Sequence, residues 1–199
     1  MTRFIRITMS ADKQPLVAIL AAGKASRFGG GKLDAMLGIR RVGDHVLNAV
    51  HDAGLAPGII VTGETVPAFA KESGWRLVAN PHPKGGLASS LALAASECAD
   101  TSRLLVLLAD MPLVLPRHLQ GLWRREGSSA TAYPGGIAGV PACFTPECVK
   151  ELAGLHGDRG AGPLLARIEG VRLVEPPPDT LLDIDTPEDL ARAEAILSG

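Results

Sequence analysis

The chain has 199 residues, of which 20 are basic and 21 acidic, for a formal net charge of −1; 46% are hydrophobic and only 4% aromatic. That composition excludes a disordered linker, and the length suits one domain with a core of Leu, Ala, Val and Ile. The balanced charge, with no polybasic run, excludes a broad nucleic-acid surface, so an anionic ligand must be held by a few placed groups.

Cys98, Cys143 and Cys148 are odd in number and fit neither a disulfide framework nor a zinc site, which points to a reducing, cytoplasmic setting. No stretch reaches the roughly 20 apolar residues that span a bilayer, and the first residues do not read as a signal peptide. Residues 1–14 are expected to be an extension with a short extended piece at Phe4–Thr8, and 15–199 the domain itself.

Leu16–Leu20 reads as a first strand that runs into a Gly-rich segment. A helix follows over 43–54, then a strand at 59–62, a short helix over Glu64–Glu72 and a strand at Trp75–Ala79. Leu87–Cys98 reads as a helix whose small residues let it lie close to a sheet. The run at 103–109, apolar throughout, predicts a central strand covered on both faces. A helix at 116–126 and a strand at 130–133 come next. Gly135–Phe144 has strand character, 146–155 is helical, and a short helix follows Gly162. Val171–Val174 is a late strand, and Pro176–Pro178 a rigid spacer. Thr186 starts the last helix, with Pro187 at its first position and Asp189 three residues on. The alternation predicts a three-layer α/β/α, Rossmann-like fold with a mostly parallel mixed sheet. The 130–174 region breaks the alternation and predicts an antiparallel edge or a small subdomain.

The first loop, from Gly23 to Lys32, carries the chemistry. A Gly-rich turn after a strand presents backbone N–H groups to an anion. A P-loop would need Gly where Ser26 stands and Ser or Thr where Leu33 stands; a dinucleotide fingerprint would need Gly at Ala25. What remains is a loop with two cations, Arg27 and Lys32, suited to a triphosphate but also compatible with an ordinary solvated turn.

Leu20-Ala21-Ala22-Gly23, then Arg27 and Lys32, resembles the signature of the molybdopterin nucleotidyltransferases, most closely the molybdenum cofactor cytidylyltransferase branch. The likeness extends through Gly86-Leu87-Ala88-Ser89-Ser90, Leu108-Ala109-Asp110-Met111-Pro112, Gly157-Asp158-Arg159-Gly160-Ala161 and Asp183-Ile184-Asp185-Thr186-Pro187. It covers about residues 16–197. The pattern departs from the family at Ala25, Gly30, Asp34, Val140 and Gly162; an acidic Asp34 so near Lys32 is the oddest of these.

The resemblance implies a Mg²⁺-dependent enzyme that moves a nucleotidyl group, CMP from CTP, to the phosphate of molybdenum-molybdopterin and releases pyrophosphate. Arg27, Lys32 and Asp110 would be catalytic, and Asp110 and Asp185 would hold the metal. Leu20, Ala21, Ala22, Gly23, Lys32, Asn80, Gly86, Ser89 and Ser90 would bind the nucleotide, and Asp158, Arg159 and Gly160 the acceptor. Asp110 also earns its place from position, because open α/β sheets seat ligands at the carboxyl ends of their strands. Asp183 and Asp185 are two apart, so on extended backbone they share a side. His82 lies in a Pro-rich loop and reads as solvent-exposed. GTP, another phosphorylated acceptor, and a non-catalytic chaperone that hands a cofactor to a molybdoenzyme remain alternatives. The expected state is a monomer or weak homo-oligomer with neither a nucleic-acid nor a membrane partner.

Overall fold

Leu16–Ala21 (β1) alternates strictly between two apolar layers. Val17, Ile19 and Ala21 enter one core, and Ala18 and Leu20 the other. Leu104–Leu108 (β6) does the same, with Leu105 and Leu107 on the first side and Leu104 and Val106 on the second. A strand buried on both faces belongs at the middle of a sheet, and each such side chain contributes about 1.5–3 kcal/mol by leaving water. The two strands pair in parallel, Ala18 opposite Val106. The structure is a computed structural model and describes residues 14–23, 27–82, 85–100, 102–154, 165–168 and 170–199.

The other strands are Met36–Leu37 (β2), Arg40–Arg41 (β3), Ile59–Thr62 (β4), Arg76–Ala79 (β5), Ser129–Tyr133 (β7), Ile137–Phe144 (β8) and Arg172–Val174 (β9). Seven form one sheet in the order β5-β4-β1-β6-β8-β7-β9. All run the same way except β8, which is antiparallel to both neighbours. β2 and β3 form a separate two-stranded ladder that the sequence pattern did not signal. The helices are Val42–Asp52 (α1), Ala68–Glu72 (α2), Gly86–Ser96 (α3), Pro116–Trp123 (α4), Pro146–Ala153 (α5) and Pro187–Ser198 (α6). α1, α2, α4 and α6 contribute to the core on one face of the sheet, and α3 and α5 to that on the other. This is the Rossmann-like three-layer arrangement with a mostly parallel mixed sheet.

Two expectations need correction. The antiparallel strand is not at the edge: β8 lies inside the sheet, between β6 and β7. Its direction follows from the turn Pro134-Gly135-Gly136, where both glycines have positive φ (80° and 74°) and Gly136 N–H closes on Tyr133 O at 3.0 Å. Such a tight turn can only join antiparallel neighbours. The helix expected over Glu64–Glu72 starts only at Ala68, after Pro67, and Glu64–Pro67 is loop. The extended piece at Phe4–Thr8 and the start of the helix after Gly162 lie outside the described residues.

Candidate active site

The order β5-β4-β1-β6 makes the gap between β1 and β6 the point where the chain's progression along the sheet reverses, and crevices form there at the carboxyl ends. β1 delivers the Gly-rich loop to that gap, and β6 delivers Asp110. The backbone joins them: Ala109 N–H donates to Leu20 O at 3.0 Å. The strap carrying Asp183 and Asp185 closes on the same place, with Ile184 N–H donating to Asp110 O at 2.9 Å.

Lys32 is the centre of the site. Its ammonium donates to Asp110 Oδ2 at 2.7 Å and to Asp185 Oδ1 at 2.8 Å. Its side chain is 6% exposed, against 22% for Asp110 and 50% for Asp185. Burial alone would push the Lys32 ammonium down; the charges and hydrogen bonds of Asp110 and Asp185 outweigh it, so its pKa is raised and the group stays protonated. Arg27 lies at the mouth, 79% exposed, 3.8 Å from Asp185 Oδ2. Asp183 keeps an exposed face but is hemmed in by protein. That desolvation, with the charges of Asp110 and Asp185, pushes its carboxyl up to about 6.

Before the lysine, Gly29, Gly30 and Gly31 have φ of 85°, 104° and 66°. A side chain at any of them would be strained by the backbone rather than blocked by a neighbour, since nothing stands within 4 Å of where a Cβ would be. The loop therefore winds left-handed while leaving open space above its backbone. That space is part of a cleft of about 730 Å³, walled by Ala21–Gly23, Gly29–Asp34 and Gly63–Pro67.

Asp34 walls the cleft, but its carboxylate is engaged by α2 rather than by Lys32. Its two carboxylate oxygens accept from Ala68 N–H and Phe69 N–H, both at 2.8 Å, the first two residues of α2. The carboxylate caps a helix N-terminus and so is stabilised there. Its oddness beside Lys32 disappears.

Several residues expected to bind nucleotide have other work. Leu20 buries its side chain in the core against α3, so only its backbone reaches the site. Asn80 is 5% exposed, and its amide nitrogen donates to Ser89 Oγ at 2.8 Å and Ser90 Oγ at 3.0 Å. Its amide oxygen accepts from His82 N–H at 2.8 Å. Ser89 Oγ in turn lies within hydrogen-bond reach of the carbonyls of His82 at 3.0 Å and Gly86 at 2.9 Å, which share its single proton. This network fastens the end of β5 to the start of α3 and leaves Asn80 and Ser90 little capacity for a ligand. Ala21, Ala22 and Gly23 do line the cleft. Asp158, Arg159 and Gly160 lie outside the described residues. The wall Gly63–Pro67 was missed, because nothing in its composition marks a site.

The residues fit a hard divalent cation brought in with substrate. Among the described residues Asp110 Oδ1 is a buried oxygen with no hydrogen-bond partner, and a second carboxylate, Asp185, shares the Lys32 ammonium with Asp110. Among the described residues no group of three or more His, Cys, Asp and Glu could hold a metal alone. One or two carboxylates completed by substrate phosphates and water is the pattern of Mg²⁺ rather than of an all-protein cage. Arg27 and Lys32 together do not outweigh Asp110, Asp183 and Asp185 when all are ionised, so a tetra-anionic triphosphate gains from an added cation. Among the described residues no helix is long and apolar enough to cross a membrane.

Comparison with known proteins matches residues 17–172 to the MobA-like NTP transferase domain. The chain is 32% identical over 186 residues to a molybdenum cofactor guanylyltransferase of Cereibacter sphaeroides, covering 90% of this chain and 95% of that protein. It is 30% identical over 189 residues to the purine catabolism protein PucB of Bacillus subtilis, covering 85% and 91%. Among solved structures, Rv0371c of Mycobacterium tuberculosis superposes with a TM-score of 0.78 at 26% identity, covering 92% of this chain and 99% of that one.

Proposed function

The chain belongs to the MobA-like NTP transferase family, and we propose that this nucleotidyltransferase moves CMP from CTP to the terminal phosphate of a molybdopterin-type acceptor, releasing pyrophosphate. The observation that carries the chemistry is the Lys32 ammonium held between Asp110 and Asp185 at the β1/β6 crevice. A buried, fixed cation beside a left-handed glycine loop is a preorganised partner for charge that builds on an α-phosphate.

In this reading the triphosphate lies along the Gly23–Lys32 loop in the 730 Å³ cleft. An oxygen of the acceptor phosphate attacks the α-phosphorus in line. The bond from that phosphorus to the bridging oxygen of the β-phosphate breaks, and pyrophosphate leaves with the electron pair. The acceptor oxygen is already ionised, so no general base is needed. Lys32, held by its two carboxylates, presents its third N–H to the α-phosphate, and Arg27, exposed at the mouth, contacts the outer phosphates. Asp110 and Asp185 would hold a Mg²⁺ ion, which when bound neutralises triphosphate oxygens. Catalysis is positioning and electrostatics.

Ala22 supports the choice of CTP: its methyl narrows the loop compared with Gly, which suits the smaller base. A second reading, GTP as donor, is favoured by the relative named as a guanylyltransferase. One experiment separates them. Pyrophosphate release is measured with each of the four ribonucleoside triphosphates, Mg²⁺ and a molybdopterin acceptor. CTP should give the highest kcat/KM; preference for GTP overturns the donor, and no release with any triphosphate overturns the acceptor.

A further inference from the structure

The nucleotide cleft has two walls that the chain makes separately: the glycine loop with its Lys32 turn, and residues 63–67 after β4. Among the described residues, the hydrogen bonds that join the Lys32 turn to the segment 63–69 all come from one side chain, Asp34. Lys32–Asp34 is one turn of 3-10 helix, opened by Gly31 at φ 66° and closed by Asp34 N–H on Gly31 O at 2.9 Å. With three residues per turn, consecutive side chains point about 120° apart. Lys32 goes to Asp110 and Asp185, Leu33 enters the core, and Asp34 reaches the first two amides of α2. The turn that aims the cation therefore also holds the far wall.

The wall at 63–67 is fixed at its two ends. At one end Gly63 packs on the first loop, where an added Cβ would meet Ala22 O at 3.3 Å. At the other, Ala68 N–H and Phe69 N–H donate to Asp34, both at 2.8 Å. Between them Glu64, Thr65 and Val66 lie outside any helix or strand, and among the described residues no hydrogen bond reaches any of the three. The helix α2 is docked by other means as well. Phe69 is fully buried with its ring against Gly43 of α1, where an added Cβ would lie 2.5 Å from Cγ. Glu72 pairs with Arg41 Nη2 at 2.6 Å. Asp34 thus sets where the chain enters α2, and with it how far residues 64–67 stand from the glycine loop.

We propose that Asp34 is a positioning residue for donor selection: its carboxylate clasps the two walls at one spacing, and that spacing discriminates between pyrimidine and purine nucleoside triphosphates. The inference rests on the reading that a nucleoside triphosphate lies in this cleft, and it adds what fixes the room left for the base. With the phosphates on the Gly23–Lys32 loop, the size of the base is read against the opposite wall. A wall that yields accepts either base; a wall held at both ends rejects the one that fits worse. The clasp also accounts for an acidic residue in a triphosphate cleft, because both of its oxygens are engaged by a helix N-terminus.

The test is calorimetric titration of the full chain with CTP and with GTP in Mg²⁺, without acceptor, so that no transfer occurs. The readout is the ratio of the two dissociation constants, which a loss of folded protein does not move. Asp34→Ala should weaken the preferred triphosphate about fourfold and the other less than about 1.5-fold, so that the ratio falls about threefold. Asp34→Asn, which keeps one acceptor oxygen, should fall between Asp34→Ala and the wild type. Glu72→Ala removes an exposed ion pair at the other end of α2 and should change the ratio by less than about 1.5-fold. An unchanged ratio in Asp34→Ala overturns the clasp. So does an equal fall in Glu72→Ala, which would assign the effect to the stability of α2. Equally tighter binding of both triphosphates in Asp34→Ala would make Asp34 a repulsive charge, and the clasp would fail. A wild type that prefers GTP, with that preference collapsing in Asp34→Ala, overturns CTP as the donor and supports the clasp. A wild type that binds the two equally has no selection to set and overturns the clasp alone; one that binds neither overturns the transfer reading together with it.

Discussion

The two halves of the sheet solve different problems. In β5-β4-β1-β6 every strand is parallel, and each carboxyl end runs into a loop, so charged and glycine-rich loops accumulate along one edge. In β8-β7-β9 a tight hairpin replaces a crossover, and the same edge carries an aromatic ring and a proline tract, with Glu175, Asp179 and Arg192 as its charged groups. The first half builds an electrostatic site whose parts hold one another through ion pairs. The second builds one held by packing and backbone.

The largest effects should come from the charged half. Asp110→Ala removes a carboxylate that binds Lys32 and leaves the backbone bond from Ile184 to residue 110 intact. We expect kcat/KM for nucleotidyl transfer to fall about 10³-fold, roughly 4 kcal/mol, with a normal far-ultraviolet spectrum. Undiminished pyrophosphate release would remove Asp110 from the chemistry.

Lys32→Ala comes next and sharpens the comparison further. It should lower kcat about 10²–10³-fold, as for loss of a preorganised donor. It also leaves Asp110, Asp183 and Asp185 facing one another without their internal cation. Millimolar Mg²⁺ should therefore raise Tm more in Lys32→Ala than in the wild type, where the ammonium competes for the same oxygens. Equal shifts in calorimetry would mean that the ion binds elsewhere. In Tyr133→Ala, by contrast, Mg²⁺ should act as in the wild type.

Asp34→Ala gives a smaller effect. Loss of the cap on α2 should cost about 1 kcal/mol in urea unfolding, typical of an N-terminal cap. Because Asp34 and residues 63–67 wall the same cleft beside the glycine loop, KM for the triphosphate should rise a few-fold while kcat holds. A large fall in kcat would mean that Asp34 acts on the phosphates after all.

These residues also show what could be read before the fold was known. The apolar run ending at Asp110 and the Thr186–Asp189 capping box are local patterns, and each has its expected conformation. The box closes in both directions, Asp189 N–H to Thr186 Oγ1 at 3.2 Å and Thr186 N–H to Asp189 Oδ2 at 2.9 Å. What stayed hidden depends on long-range partners. Lys32 meets carboxylates 78 and 153 residues away, and Asp34 caps a helix 34 residues on. Asn80, Ser89 and Ser90 carry the polar atoms of a binding site but spend them on one another, which only their proximity reveals. Tyr133 reads as an ordinary strand residue, but its ring lies over Gly139 of β8. The inside position of β8 was hidden because strand order is set by which faces bury together, not by local spacing.

The smallest expected effect tests the second half at a buried imidazole. His118 of α4 is 3% exposed, and its Nε2 lies 2.8 Å from Thr131 Oγ1. That hydroxyl donates to Pro141 O at 2.7 Å, so it accepts from the imidazole, which fixes the Nε2–H tautomer. Burial lowers the His118 pKa below its ordinary 6.5. Below that pH the unfolded chain takes up a proton that the folded chain refuses, so this group's contribution to stability falls as pH drops through 6.5. Asp183, raised to about 6, acts in the opposite sense: the folded state binds its proton more readily, so its contribution grows as pH falls from about 6 toward 4. The two halves thus pull stability in opposite directions under acid. His118→Gln keeps a donor near Thr131 and cannot titrate. The difference in unfolding free energy between wild type and His118→Gln cancels Asp183 and should shrink the wild type's relative stability steadily from pH 7.5 to 5.5. A pH-independent difference would show that the imidazole protonates as easily in the folded chain as in the unfolded one.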